Sequence, residues 1–597
     1  MITMEEKIEY TVDARDNRLN CLNVEMSFRP QKGVVDICMA AWAPGSYRIE
    51  DFARHIVNIS AVNADGRAMK MEKKDKSTWT FRADGRKVVV RYRVHAHMIT
   101  VHQSFVDDTH LTLNGGSSLL YAKGYEHLQA VLRIIPLDGW NNVSTGLGRT
   151  EDKWTFTAPD FDILIDSPVE AGNHISTHFK AAGKDHEIAI YGSGTIDKDT
   201  FTSDVEKIVR AEIDIMKDVP YDRYLFIYDL LPGASGGLEH LNSTHCLADP
   251  FSFRIREDYL ARLSTISHEF FHLWNVKRLR PVPLGPFDYT KEVYTGLLWF
   301  SEGFTSYYTY IALRRAMIVT PGELLRSFAR MAESYMNTPG RNYQSADESS
   351  FDTWIKLYKP DENSVNSGIS YYTKGSLIGM LLDLHILDAT DGRKRLDDVM
   401  RLLYNTTYRK GRGFTEEDFV AACGKVLGSD ASQLCRSLIR GRGDLQFGRY
   451  LALAGLEMKR ESERKEGCAG ILMSRKTPET VGSVLEGMPA AEAGVFPGDE
   501  IIAVNGMRVM PPDFASRIRE LSPREDITLT VARHGQLKSI SLRLEERPGK
   551  LTFVQMKRAS AKQKRTYEKW AYARWKDGVS YEGVNDSSEY RKRFDII

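Results

Sequence analysis

The stretch HEFFHLWNVKRLRP, residues 268–281, decides what kind of site the chain builds. Two histidines four residues apart, His268 and His272, lie on one face of a helix, because four residues make just over one turn. Their imidazoles can therefore reach one tetrahedral zinc ion, and Glu269 stands beside that ion without filling a coordination site. Zinc makes hydroxide available at neutral pH, so Glu269 is the expected general base. A chance HExxH on a surface or core helix is the alternative.

A second apolar stretch, LLWFSEGFTSYY at 297–308, contains the expected third ligand. Glu302 stands there among aromatic residues, and a carboxylate is costly to bury unless it is paired or bound to a metal. We expect His268, His272 and Glu302 to hold one zinc ion per chain and to leave the fourth position open for water. An exposed Glu302 that does not bind the metal is the alternative.

The sequence before this region indicates β-structure. Residues 1–175 carry short alternating stretches, including Val34–Ala41, Thr78–Arg82 and Val88–Val94, separated by turn clusters. No long helical period interrupts them. This pattern predicts an N-terminal β-sandwich domain.

Residues 176–450 are mixed at first and mostly helical later. Ser203–Lys217 has apolar residues at helical spacing, with Ser203 as the expected N-cap, and Tyr224–Leu231 has the pattern of a buried strand. The stretches 258–278 and 297–316 predict two long helices. We expect one catalytic domain here, with a mostly helical second half.

The pattern changes again over residues 460–547. GMPAAEAG at 487–494, followed by PGDEIIAVNG at 497–506, resembles the PDZ domains of bacterial proteases. Such domains add a peptide as an extra strand, and GCAGIL at 467–472 is the expected loop for a C-terminal peptide. A structural module with a blocked groove is the alternative. The basic and aromatic tail, 548–597, predicts a helix packed on the body, with a nucleic-acid-binding tail as the alternative.

Composition excludes several classes of protein. The chain has 597 residues, too many for one core, and its 81 basic and 80 acidic side chains give a formal net charge of +1. No global field attracts nucleic acid or an anionic membrane. We see neither an apolar run of about 18 residues nor a secretory signal, which predicts a cytoplasmic protein without a membrane span. The six scattered cysteines predict reduced, buried thiols. The oligomeric state stays open.

Several stretches resemble the glycyl aminopeptidase family of gluzincin zinc metallopeptidases. Besides the HExxH segment, LGPFDY at 284–289 and LLWFSEGFTSYY at 297–308 resemble its catalytic region. WAPGSYRIEDFARHI at 42–56 and FDILIDSPVEAG at 161–172 resemble its N-terminal domain. The resemblance covers nearly the whole chain. It implies a multidomain α+β protein with a thermolysin-like catalytic domain, one zinc ion, and release of small N-terminal residues such as Gly or Ala from peptides.

The same comparison implies a site for the substrate's free N-terminus. GGLEH at 236–240 resembles the GxMEN strand of the alanyl aminopeptidases. Gly236 and Gly237 would pair with an extended peptide, and Glu239 would bind its α-amino group through a charge-assisted hydrogen bond. His240 departs from the pattern, and a solvated surface loop is the alternative.

YYTKG at 371–375 resembles the YxKG segment of those enzymes. Register favours Tyr372 as the donor to the oxyanion, with Tyr371 as the runner-up, and either residue could instead be a core aromatic. Together these residues predict a zinc aminopeptidase in which Glu269 takes a proton from the attacking water and passes it to the leaving amine. The alternatives are a PDZ scaffold with a vestigial site and a zinc endopeptidase that cleaves N-blocked peptides.

Overall fold

The structure, a computed structural model, describes residues 7–576, which fall into two compact units. The first contains residues up to 294 together with 403–415, and the second contains 295–402 together with 416 onwards. This division falls inside the catalytic domain that the sequence predicts. The predicted domain boundaries therefore stay a prediction, and each unit is described by itself below.

The N-terminal part of the first unit consists of β-sheets, as the alternating pattern predicts. Its largest sheet has eight strands. In sheet order these are Gly148–Arg149, Thr155–Ala158, Gln129–Ile135, Lys7–Asp13, Cys21–Phe28, Val88–His95, Ile56–Val62 and Ala68–Met69. A four-stranded sheet follows the order Asn142–Thr145, Val169–Gly172, His110–Leu113 and Phe105–Val106. Another follows the order Tyr121–Ala122, Gly33–Cys38, Thr78–Ala83 and Met71–Lys73. Their inward side chains share one hydrophobic core.

The rest of the first unit is a five-stranded sheet with two long helices. In sheet order the strands are Ile175–Ala181, Lys184–Tyr191, Arg223–Leu230, Ser243–Ala248 and Ser235–Glu239. The helices of this unit are Gly115–Ser118, Phe161–Ile165, Lys198–Met216 and Arg256–Phe271. The prediction of Ser203 as an N-cap is wrong. The helix begins earlier because the Asp197 side chain accepts a hydrogen bond from the Thr200 N–H and caps it there.

Beyond residue 296 the chain is mainly helical up to the PDZ region. The helices are Leu298–Ser301, Gly303–Arg315, Pro321–Met336, Ala346–Phe351, Ser364–Ser367, Tyr371–Ala389, Leu396–Thr406, Glu416–Leu427, Ser432–Arg440 and Phe447–Leu453. The long helix predicted over 297–316 is interrupted at Glu302, where one helix ends and the next begins. The helix predicted over 258–278 ends at Phe271, because the chain turns back after it.

The PDZ region has a four-stranded sheet and three strand pairs. The sheet order is Met507–Arg508, Glu500–Val504, Asp526–Arg533 and Gln536–Arg543. The pairs are Leu456–Glu461 with Lys550–Gln555, Gly467–Cys468 with Glu545–Glu546, and Ile471–Met473 with Val481–Val484. The helices are Pro489–Glu492 and Phe514–Glu520. This arrangement confirms the predicted mixed α+β architecture.

The tail packs on the helical body as far as it is described. The helix Ala561–Ala571 buries Trp570, whose ring lies 5.6 Å from that of Phe328. Arg314 donates a hydrogen bond to the Ala571 carbonyl. These contacts favour the packed helix over a nucleic-acid-binding tail. The end of the predicted tail, 577–597, lies outside the described residues.

All six cysteines are buried, and none forms a disulfide. Among residues 7–576 we find no helix that combines the length and the apolar character needed to cross a bilayer.

A buried polar cluster joins strands of two sheets in the first unit. The Thr112 hydroxyl donates to the Glu170 carboxylate at 2.8 Å, and His245 Nε2 donates to Asp229 at 2.8 Å. Glu170 and Asp229 are both fully buried. Burial, reinforced by the Asp229 charge, raises the pKa of Glu170 well above its usual value.

The raised pKa of Glu170 predicts a pH-dependent stability. A carboxyl whose pKa is higher in the folded state stabilises the fold fully below its unfolded pKa, and that contribution is lost as pH rises toward the folded pKa. Above about pH 4.5, the free energy of unfolding of the wild type should fall more steeply than that of Glu170→Gln, by up to about 1.4 kcal/mol per pH unit. Urea denaturation at a series of pH values measures this. The exposed Glu151→Gln should follow the wild type, and parallel curves for Glu170→Gln would contradict the prediction.

Candidate active site

The helix Arg256–Phe271 carries the HExxH motif and packs on the five-stranded sheet through Phe270. The Phe270 ring is fully buried and meets Tyr224 edge to face, with centroids 4.8 Å apart. Ser267, one residue before the motif, donates to the fully buried Glu212 of the neighbouring helix at 2.6 Å. These contacts fix the helix against the sheet and leave its other face for the histidines.

The two histidines of the motif point at the same place. Their Nε2 atoms lie 3.1 Å apart. His272 Nδ1 donates a hydrogen bond of 2.7 Å to the Asn275 carbonyl, since a carbonyl can only accept. The proton of His272 is therefore on Nδ1, and the lone pair of Nε2 is directed toward His268. This tautomer is the one that binds a metal through Nε2.

The carbonyl of Asn275 reaches His272 because the chain turns back sharply there. Val276 has φ of 120°, a conformation that β-branched residues rarely adopt. Arg278 stabilises the turn by donating to the carbonyls of Leu273 and Pro220 at 2.9 and 2.7 Å. Asn275 and Arg278 thus position the turn that holds His272.

The general-base candidate Glu269 lies against the edge strand Ser235–Glu239. A methyl group on Gly237 would come within 2.4 Å of Glu269 Oε1, so a larger residue would force the Glu269 side chain to move. Oxygen or nitrogen atoms of Glu239, Glu269 and His272 all lie within 4.8 Å of one another. The first unit thus brings together the motif and the strand that the sequence assigns to the substrate.

Glu239 is buried, and its carboxylate also contacts the N-terminal β-sheet region. Gly45, with φ of 94°, packs so closely that an added Cβ would lie 2.7 Å from Glu239 Oε2 and 2.6 Å from Leu238 Cδ1. Gly45 belongs to the segment WAPGSY, so that segment forms one wall of the candidate amine site. Sequence patterns did not reveal this role, because a glycine offers no side chain to mark it.

His240, which stands where the GxMEN pattern has Asn, fixes the end of the same strand. Its Nδ1 donates to Asp166 at 3.1 Å, and Lys277 donates to the same carboxylate at 2.8 Å. The Leu241 N–H donates to the second oxygen of Asp166 at 2.9 Å. Burial works to raise the pKa of Asp166, but the Lys277 charge and His240 outweigh it and hold that pKa at about 2. Lys277 therefore forms a buried ion pair with Asp166 that stabilises this part of the first unit.

The second unit carries Glu302 and Tyr372 on two helices that touch through glycines. An added Cβ on Gly303 would lie 2.4 Å from the Gly375 Cα, and one on Gly375 would lie 2.1 Å from the Trp299 carbonyl. This close approach holds the buried Glu302 near Tyr372. Burial, reinforced by the Glu302 charge, raises the pKa of Tyr372 well above its usual value. The Tyr372 hydroxyl is therefore protonated, and so able to donate, at neutral pH.

The two tyrosines at this helix start have different surroundings. Tyr371 is fully buried, and its hydroxyl lies 3.1 Å from Thr353 Oγ1. Tyr372 is only half-buried, and its hydroxyl lies 3.2 Å from that of Tyr358. The fully buried Tyr371 has the environment of a core aromatic, which favours Tyr372 as the oxyanion donor.

Comparison with known protein families finds three matches along the chain. The model of the peptidase M61 N-terminal domain matches residues 9–173, that of the M61 glycyl aminopeptidase matches 261–378, and that of a PDZ domain matches 480–533. The second of these spans both motif histidines and both Glu302 and Tyr372. The chain is a metallo-aminopeptidase whose catalytic region is similar to the M61 glycyl aminopeptidase family.

Two solved structures and one curated protein are similar to the chain over different shares of its length. An aminopeptidase N family protein from Idiomarina loihiensis is 26% identical to the peptidase, with a TM-score of 0.88, and the match covers 94% of this chain and 100% of that one. An M1 zinc metallopeptidase from Deinococcus radiodurans has a TM-score of 0.46 at 14% identity, over 74% of this chain and 94% of that one. A probable periplasmic serine endoprotease DegP-like of Bartonella henselae is 43% identical over 61 residues. That match spans 10% of the peptidase and only 12% of the curated relative.

The contact between Gly237 and Glu269 yields a sharp prediction. Gly237→Ala should displace the Glu269 carboxylate while leaving both histidines in place, and a displacement of about 1 Å at a catalytic group costs about 100-fold in turnover. We expect kcat on an amino-acid arylamide to fall by about that factor, with unchanged metal content. Gly448→Ala, at a helical glycine with open space around it, is the matched control. Full activity of Gly237→Ala would show that Glu269 does not act from this position.

Proposed function

We propose that the peptidase releases N-terminal residues from peptides with one zinc ion held by His268, His272 and Glu302. The observation that carries this proposal is the convergence of the two Nε2 atoms at 3.1 Å, with the His272 tautomer fixed by Asn275. Two nitrogens about 2.0–2.1 Å from a tetrahedral zinc are about 3.3 Å apart, so the pair fits this ion. Glu302, a buried carboxylate of the same family segment, supplies the third ligand.

In this proposal Glu269 transfers protons and Tyr372 stabilises the oxyanion. Zinc, when bound, supplies a Lewis acid that lowers the pKa of water and polarises the scissile carbonyl. Glu269 takes a proton from the attacking water and passes it to the leaving amine. The Tyr372 hydroxyl donates a hydrogen bond to the developing oxyanion, which its raised pKa permits.

The edge strand Ser235–Glu239 binds the peptide in this proposal. It pairs within its sheet only with Ser243–Ala248, so its other edge can accept an extended chain at Gly236 and Gly237. Glu239, at the end of the strand, binds the free α-amino group. Small first residues such as Gly or Ala are part of this proposal because the sequence resembles the glycyl aminopeptidases.

Metal content tests the ligand set. Dialysis against a chelator should abolish turnover of amino-acid arylamides, and one equivalent of zinc should restore it. His272→Ala and Glu302→Gln should lose zinc, because each removes a ligand, whereas Glu269→Gln should keep zinc and lose about 10²–10⁴-fold in kcat. Full zinc occupancy in Glu302→Gln would refute the role of that carboxylate. A wild type that binds no stoichiometric zinc would instead favour a PDZ scaffold with a vestigial site.

Glu239 decides between an aminopeptidase and an endopeptidase. Glu239→Gln keeps the shape of the side chain but removes the charge that holds the ammonium group. We expect kcat/KM on free-amine peptides to fall about 10- to 100-fold, since a hydrogen bond to a charged group contributes roughly 1.5–3 kcal/mol. Zinc content should not change. Equal cleavage of N-acetylated and free peptides by the wild type would favour the zinc endopeptidase.

We further propose that the PDZ domain binds a C-terminal peptide. The short strand Ile471–Met473 pairs within the described residues only with Val481–Val484, which leaves one edge available. The segment 467–472 leads into this strand and contains Gly470 with φ of 79°, a conformation that suits backbone N–H groups turned toward a carboxylate.

A further inference from the structure

Three histidines in the N-terminal sheets, outside the HExxH region, lie together. His55, His95 and His97 each offer a ring nitrogen, and these nitrogens all lie within 4.8 Å of one another. The rings of His95 and His97 are stacked with centroids 4.0 Å apart, and the His55 ring lies 5.3 Å from that of His97. Nothing in the aminopeptidase mechanism uses this cluster.

Strand pairing brings the three residues to one face. Ile56 pairs with Val94 in the antiparallel ladder, so the preceding residue, His55, stands opposite His95. His97 follows two residues later, and residues two apart on an extended chain point to the same side. The cluster is therefore built into the sheet and does not depend on a chance contact between loops.

Two of the rings are in the protonation state that binds a metal, and the stacked rings of His95 and His97 must turn apart for both lone pairs to reach one ion. All three histidines are half-buried, so the cluster remains accessible to ions from solvent. Burial, with the Arg54 charge second, lowers the pKa of His55 to about 4, and burial lowers the pKa of His95. These two rings are neutral at physiological pH, which is the form that binds metals. The Nδ1 atom of His97 is buried and has no hydrogen-bond partner among the described residues.

We propose that His55, His95 and His97 form a second metal site for a divalent transition cation of the zinc, nickel and copper class. Imidazole nitrogens suit these ions, whereas magnesium and calcium prefer oxygen ligands. Three histidines with an open fourth position match the ligand number that zinc accepts. The negative charge of the buried Glu50 acts on His55 and partly offsets the Arg54 charge.

The positive charge of Arg54 opposes a bound cation and lowers the metal affinity of the site. Its Nε donates to His55 Nε2 at 3.0 Å, so a metal at that nitrogen must displace the guanidinium. The Arg54 side chain is exposed and can turn into solvent. The second site should therefore bind more weakly than the HExxH site, and removal of Arg54 should strengthen it.

Zinc counting tests the proposal on the full-length protein. After dialysis against zinc buffered at micromolar free concentration, the wild type should hold two zinc ions per chain, and His97→Asn should hold one. Arg54→Gln should keep two ions and bind the second several-fold more tightly. His127→Asn, an exposed histidine of the same region, is the matched control and should keep two.

Parallel variants separate this site from the catalytic one. Glu302→Gln should lose one ion and turnover, whereas His97→Asn should lose one ion and keep turnover, which also shows that it folds. If His97→Asn does not fold, His55→Asn serves in its place, with the same expected loss. One zinc ion in the wild type, or two in both cluster variants, would overturn the second site without touching the proposed aminopeptidase.

Discussion

The site depends on the hydrogen bond from His272 Nδ1 to the Asn275 carbonyl. This bond places the ring proton away from His268 and frees Nε2 for a shared ligand. The backbone conformation of Val276 and the hydrogen bonds donated by Arg278 stabilise the turn that brings the Asn275 carbonyl to His272. An energetically unfavourable turn is thus maintained next to the HExxH motif, where it fixes the tautomer of His272.

Glycines determine where the carboxylates of the site can lie. Gly237 leaves space for the Glu269 carboxylate, and Gly45 leaves space for that of Glu239. Gly303 and Gly375 allow the helix that follows Glu302 to lie close to the helix of Tyr372. At each of these positions a larger residue would force the neighbouring side chain or backbone to move. The positions of these carboxylates therefore depend on the neighbouring glycines, which leave space for them.

Local features were predictable from sequence, whereas contacts between distant segments were not. The HExxH helix, the β-rich N-terminal region and the PDZ motif follow from spacing and turn residues that neighbouring positions reveal. The break at Glu302 and the roles of Gly45 and Asp166 arise from packing between segments that lie far apart in the chain. The Asp197 cap was missed because the polar residues after it hide the helix start. The grouping of His55 with His95 required knowledge of strand register.

The position of Gly45 limits how this architecture can be rearranged. Grafting the peptidase region onto an unrelated N-terminal module would leave one side of Glu239 open to solvent, and the carboxylate would gain alternative rotamers. A replacement module would need a residue without a side chain, in a left-handed conformation, at that point of its surface. The N-terminal sheets therefore shape the surroundings of Glu239, so the two regions would have to be exchanged together.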